Sequence, residues 1–424
     1  MQEKSKFFYG WWIVLASFFL MFAGIGIVLN CVGVFYSAVL QDLQFSRGAF
    51  GLYVTILALA ATVMFPVMGK LIVKYNSQVV IGICVLVTGI AFAAYSQCSE
   101  LWHFYLVSAL VGAFGAGTSI LPASILVTNW FVEKRGLAMG IAFTGSGIGG
   151  MICNPLAQWV INNYSWQMAY IVLGIVFIAV TLPFVIFVIK LHPAMKGMMA
   201  LGDTDGTVDA PVLAGLNAGE ALKNVSFWIL ALSFLLLELV QLGVQNNIPI
   251  FLEDLGHVAA FAASVMAAYM GMLVLGKLLF GSVLDKWGSK VGISFGIALM
   301  VVALFAFMGA KAIPMVVLFV IAFAFASPMT TVLPSYMVGD IFGNLDYGTI
   351  YGLIQIFATV GTAVAMPLTG AVFENAGSLM PVWYLFIGVA VLVLILLFIA
   401  IGRQAKVRET WHSQEINQLQ DISA

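Results

Sequence analysis

Two ionisable side chains, Glu238 and Lys277, lie inside long apolar runs of this 424-residue chain. A charge at the centre of a bilayer costs about 2.5–3.5 kcal/mol on insertion scales, so each needs a partner or a watery cavity. Lys277 stands eight residues before Asp285, which marks the cytoplasmic edge of its run. At the helical rise that is about 12 Å, too deep for the side chain to snorkel out. Its functional reading is an anion site, because an ammonium group in a low-dielectric pocket attracts a carboxylate. The structural alternative is an ion pair with Glu238. Glu238 lies fourteen residues beyond Asn224, about 21 Å from the start of its helix, so the two depths are compatible. Its functional reading is a proton carrier: an anion bound at Lys277 cancels the lysine's charge and favours a proton on Glu238, coupling proton to anion. A fixed packing role is the alternative.

Glu238, Gln241 and Gln245 follow one another at i, i+3 and i+7, which places them on one stripe of a helix. Facing lipid, that stripe is costly; facing inward, Gln241, Gln245 and the more distant Asn30 can orient substrate oxygens or tie helices together. Asn246 and Asn247 have the same two readings. The histidines His103, His192, His257 and His412 fall at or outside the ends of the apolar runs and show no metal-ligand spacing. No zinc-protease, P-loop or nucleophile-elbow motif is present. The expectation is therefore no catalytic residue, no metal, no cofactor and no enzyme.

The elements that position these residues are membrane helices. The chain is 62% hydrophobic and 8% charged, against about 25% charged in soluble domains. Twelve apolar stretches are long enough to cross a bilayer as helices. They run over about 9–38, 49–73, 78–98, 101–128, 136–161 and 166–190, then 224–252, 260–284, 289–310, 313–338, 347–373 and 380–402. The first exceeds the apolar core of a signal peptide, so no cleaved leader is expected. The four cysteines lie in or beside spans and read as buried free thiols. Of 17 lysines and arginines, Arg47 and Lys311 fall on one side, Lys277 inside a span and the rest on the opposite side. The positive-inside rule then places both termini in the cytoplasm. Residues 191–223 form the one long polar connection, with a flexible Gly202–Gly206 stretch and a short helix around Glu220. The expected organisation is a six-helix bundle over 1–190, a cytoplasmic linker over 191–223, a second six-helix bundle over 224–402 and a polar tail over 403–424 that frays as a helix.

The halves repeat. Gly69 and Lys74 recur as Gly281 and Lys286; Thr118, Leu121 and Pro122 as Thr330, Leu333 and Pro334; Gly136, Gly140, Gly149 and Pro155 as Gly348, Gly352, Gly361 and Pro367. Every pair is 212 residues apart. Two parallel copies of one apolar unit are the build of a secondary transporter. The same offset pairs Lys277 with Phe65 and Glu238 with Gly26, so the charged residues belong to the second half alone. Gly145-x-x-x-Gly149 in the fifth span permits close helix approach, as a moving interface or as ordinary packing.

Gly281-Ser282-Val283-Leu284-Asp285-Lys286-Trp287-Gly288-Ser289-Lys290 resembles the loop signature of the major facilitator superfamily, between spans eight and nine. Its first-half copy, Gly69 to Gln78, is degenerate, with Val73 in place of the aspartate and Asn76 in place of the glycine. Tyr9-Gly10-Trp11-Trp12, Asn129-Trp130-Phe131 with Lys134-Arg135-Gly136, and Gly339-Asp340 with Tyr347-Gly348 are similar to a bacterial type of the monocarboxylate-transporter and oxalate/formate-antiporter branch. The resemblance covers essentially the whole chain. It implies an all-α fold of twelve membrane helices in two pseudo-symmetric six-helix bundles. It also implies a conformational latch at Gly281, Asp285, Lys286 and Gly288, and a cation for substrate in the eighth span, where Lys277 stands. Animal monocarboxylate carriers have an aspartate one turn earlier, where this chain has Leu273, so Glu238 is the replacement from the seventh span. Oxalate/formate members carry a second cation in the eleventh span, and none occurs between Tyr347 and Phe373. Animal carriers have a lysine in the first span, where Asn30 or Cys31 stands.

The expectation from residues and resemblance together is a secondary transporter of small organic anions. Its cargo is a carboxylate bound by Lys277, Gln241, Gln245 and Asn30, with Glu238 coupling protons. Monocarboxylate–proton symport is favoured over oxalate/formate-type exchange, and a membrane ligand sensor that carries nothing is the rival of another class. The partners expected are the carboxylate, protons and the lipid of a plasma (inner) membrane, with a monomeric transport unit and no nucleic acid.

Overall fold

The computed structural model describes residues 8–202 and 215–423. Asp203 to Gly206, assigned above to a flexible linker, and Lys4 and Lys6, used in the charge count, lie outside the described residues. The chain divides into two compact units, Met1–Val212 and Leu213–Ala424.

The first unit begins with α1 (Gly10–Met21), a π-helical turn (Phe22–Ile27) and α2 (Val32–Leu43). These pieces form one span of Gly10–Leu43, interrupted midway. It continues with α3 (Arg47–Lys74), α4 (Ser77–Ala94), α5 (Leu101–Gly115), α6 (Ile120–Trp130), α7 (Arg135–Asn163) and α8 (Trp166–Phe187). The helices start where polar side chains satisfy their first N–H groups. Ser46 Oγ accepts from the Ala49 amide at 3.3 Å, Asn76 Oδ1 from Gln78 at 3.0 Å and Ser165 Oγ from Met168 at 3.2 Å.

The second unit opens on the short α9 (Ala218–Lys223), closed by a reciprocal Asn217–Glu220 capping box. Then come α10 (Val225–Asp254), α11 (Ala259–Met308), α12 (Ile313–Ala326), α13 (Val332–Phe342), α14 (Tyr347–Ala376) and α15 (Met380–Ser423). Eleven helical spans among the described residues are long and apolar enough to cross a membrane. One of them, within α11, holds two of the twelve read from sequence. The stretch expected as the loop between spans eight and nine is helical through Trp287, and the break falls on Gly288 alone (φ +76°, ψ 175°). That backbone region is open essentially only to glycine. Lys286 Nζ lies 5.2 Å from the Trp287 ring centroid.

The polar tail is helical, as α15 continues to Ser423. Its first turns are held where Gln404 Nε2 donates to Asp340 Oδ2 at 2.7 Å and the Arg408 guanidinium binds the Asp340 carboxylate.

Helix pairing recurs between the units. In the first, α1 packs on α7, α3 on α5 and α4 on α8; in the second, α10 packs on α14 and α11 on α12 and α15. A side chain at Gly149 would strike the Phe22 carbonyl, and one at Gly361, its repeat partner, the Leu235 carbonyl. Backbone therefore lies against backbone at equivalent places. Large apolar side chains such as Leu59, Ile90, Phe187 and Leu232 stand exposed, as a lipid-facing surface requires. Together with the composition this makes the chain a multi-pass integral membrane protein. All four cysteines are buried and free of disulfides.

Candidate functional site

The α10 helix starts at Asn224, whose Oδ1 accepts from the Ser226 amide at 2.9 Å. Thirty residues of nearly unbroken helix then carry Glu238, Gln241 and Gln245 up one stripe. Gln241 is 4% exposed, while Glu238 and Gln245 keep part of their surface accessible.

The groups that meet this stripe come from two elements distant in sequence. Tyr269 projects from α11. Ser327 and Thr330 belong to a 3-10 turn (Ser327–Thr330) that breaks the tenth span between α12 and α13. The break has a local cause: Pro328 lacks an N–H and cannot continue the α-helical ladder. The first unit interrupts its fourth span between Gly115 and Ile120, at the same position in the repeat. Discontinuous spans at corresponding positions of two halves point to where a transporter binds.

The carboxamide Nε2 of Gln241 donates to Tyr269 Oη and to Ser327 Oγ, both at 2.8 Å. Ser327 Oγ donates to the Phe323 carbonyl at 2.6 Å. Tyr269 Oη lies 3.0 Å from Ser327 Oγ and 3.3 Å from Gln245 Oε1, so its one proton goes to one of these. The Ser327 proton is thus engaged elsewhere, and the amide turns its nitrogen toward the two hydroxyl oxygens. Thr330 is a hydrogen-bond neighbour of the Glu238 carboxyl. Glu238, Gln241 and Gln245 therefore form one polar layer with Tyr269, Ser327 and Thr330 inside an apolar bundle.

Lys277 lies two turns beyond Tyr269 on α11 and is 5% exposed. Its neighbour Gly276 packs against the backbone of Ala324 in α12, three residues before Ser327. Asn30 belongs to the other unit, in the turn after the π-helical segment, where its Nδ2 donates to the Ser146 carbonyl of α7 at 2.9 Å. Asn247 ties α10 to α14, donating to Gly243 O at 2.7 Å and to Thr369 Oγ1 at 3.2 Å.

Tyr269, Ser327 and Thr330 are the site groups that the sequence reading passed over. Thr330 stands in the repeat as the partner of Thr118, and Pro328 marks the break, so a signal for this segment was present. Tyr269 had none: a lone tyrosine in an apolar run is ordinary.

The chain matches the sequence profile of the Major Facilitator Superfamily over residues 13–275 and 239–418. It is 24% identical over 378 residues to monocarboxylate transporter 13 of Rattus norvegicus, covering 87% of this chain and 84% of that one. It is 23% identical over 383 residues to the hexuronate transporter of Escherichia coli strain K12, covering 82% and 84%. Among solved structures it resembles the human organic anion transporter MFSD10, with a TM-score of 0.70 at 13% identity over 93% of this chain and 100% of that one. It also resembles the Escherichia coli fucose:proton symporter FucP, with a TM-score of 0.67 at 15% identity over 93% and 98%. At these identities the structural likeness speaks for the fold.

Proposed function

This chain belongs to the Major Facilitator Superfamily, and we propose that, as a transporter of that family, it carries small monocarboxylates with protons by alternating access. The observation that carries the anion reading is Lys277, a lysine 5% exposed within the apolar helix α11. A cation held in that setting is retained where an anion is to be bound. The lack of a second cation in the eleventh span favours one carboxylate over two. Two relatives named for monocarboxylate and hexuronate, both acids, support the same class.

Glu238 is the proposed proton carrier. It is the acidic group of the polar layer and keeps accessible surface, as a residue that must load and release protons requires. The latch role stays with Gly281, Asp285, Lys286 and Gly288, around the hinge at Gly288. The working transporter is monomeric and sits in the plasma (inner) membrane with both termini in the cytoplasm.

The test is uptake of labelled carboxylates into proteoliposomes, with and without an inward proton gradient, for the wild type and Lys277→Ala. Gradient-driven uptake in the wild type that falls at least about tenfold in Lys277→Ala is the expected result. Uptake that ignores the gradient and needs internal counter-substrate makes the protein an exchanger. Uptake unchanged in Lys277→Ala removes the lysine from the site.

A further inference from the structure

The polar layer of the second unit contains one group that its neighbours leave unanswered. Gln241 Oε1 is fully buried and accepts no hydrogen bond. Turning the amide over would give its oxygen one donor, Tyr269 Oη, but would take both N–H groups away from the acceptors they now have, because the Ser327 Oγ proton is held by Phe323 O. Three donors of the layer and its helix are engaged elsewhere. Ser327 Oγ gives its proton to Phe323 O, Thr330 Oγ1 lies 3.1 Å from Ser327 O as donor, and Asn247 Nδ2 serves Gly243 and Thr369. A buried acceptor without a donor is costly, and a polar network kept in that condition has a donor to receive at some stage.

We propose that this donor is a hydroxyl group of the cargo, and that Gln241 selects hydroxylated carboxylates. The proposal rests on the carboxylate reading above and adds to it the class of acid. An ionised carboxylate offers only acceptors, and so does a keto oxygen; either one set against Gln241 Oε1 is repelled. A hydroxyl supplies the missing hydrogen. The acceptor is pre-aimed, since Tyr269 and Ser327 hold the far side of the amide and fix which way its oxygen points. Glu238 and Gln245, one turn to either side, keep accessible surface, so a ligand can lie along the stripe. A site built around a hydrogen bond to a hydroxyl discriminates strongly against the analogue that lacks it, because the buried acceptor is then left bare.

The experiment is equilibrium binding of matched pairs to the purified full-length protein: lactate against propionate, 3-hydroxybutyrate against butyrate, and gluconate against hexanoate. In the wild type the hydroxylated member of at least one pair is expected to bind about tenfold more tightly or better. In Gln241→Met, which keeps the length of the side chain and removes its acceptor, that ratio is expected to fall to about one. Tyr269→Phe is the second variant, because it frees one side of the amide and lets the oxygen turn away; the ratio is expected to shrink there too, and this variant decides if Gln241→Met does not fold. Equal binding within every pair in the wild type overturns the proposal and assigns the acceptor to water. A preference that survives both substitutions overturns it as well. Failure of every acid to bind the wild type is a different result: it overturns the carboxylate reading, and the proposal with it.

Discussion

Glu238 and Gln241 stand one turn apart on α10 and divide the labour of a polar layer between them. The carboxyl has Thr330 beside it on a half-buried residue; the carboxamide is enclosed and fixed by two hydroxyls. Glu238→Gln keeps the shape and removes the ionisable proton. The expected phenotype is retained counterflow of labelled substrate with loss of accumulation driven by a proton gradient. A variant that still accumulates substrate against the gradient assigns the coupling elsewhere. Lys277→Arg tests the anion site from the other direction. The guanidinium keeps the charge but changes its shape and hydrogen-bond fork. Partial uptake with altered preference among acids is the outcome expected of a residue that touches the carboxylate.

Elements pack and end through their glycines and a few polar clamps. Gly361 lets α14 lie with its backbone against Leu235 of α10, the helix that carries the polar stripe. Gly361→Val forces that pair apart. The expected cost is about 1–3 kcal/mol, read as a lower thermal midpoint, together with lost transport. Gly288 breaks the two spans within α11 at a φ of +76°, and Gly288→Ala is expected to cost about 1–3 kcal/mol for the same reason that no other residue is at home there. At the end of the last span, Arg408 and Gln404 fasten the tail helix to Asp340. The Arg408 side chain is 44% exposed, so Arg408→Ala is expected to change global stability by less than about 1 kcal/mol. Its visible effect is faster amide exchange over residues 403–408.

At the scale of the whole molecule, apolar helices account for nearly all of the described chain, and basic residues gather at the polar ends on one side. The proposed orientation, with both termini in the cytoplasm, rests on that asymmetry. A fluorescent reporter that folds only in the cytoplasm, fused after Ala424, is expected to light up, and the same reporter placed between Gly309 and Ile313 is expected to stay dark. The reverse pattern inverts the topology and moves the proposed latch to the other face of the membrane.

The sequence by itself determined the membrane helices, the repeat at 212 residues and the polar stripe of α10. Each follows from composition or local periodicity, and a bilayer leaves a chain of this kind little besides helices. It also marked Lys277 and Glu238, because charge within an apolar run is conspicuous without any knowledge of contacts. The partners of the stripe were decided only by tertiary structure. Tyr269 and Ser327 lie 28 and 86 residues from Gln241, on helices whose rotation is set by packing. Single hydroxyls in apolar spans carry no periodic or electrostatic mark. The direction in which the Gln241 oxygen points was likewise hidden, since it depends on which neighbouring protons are already engaged. The kink at Gly288 and the tail contacts at Asp340 belong with these: a single backbone angle and a clamp between distant residues are set by packing, and hydrophobic pattern registers neither.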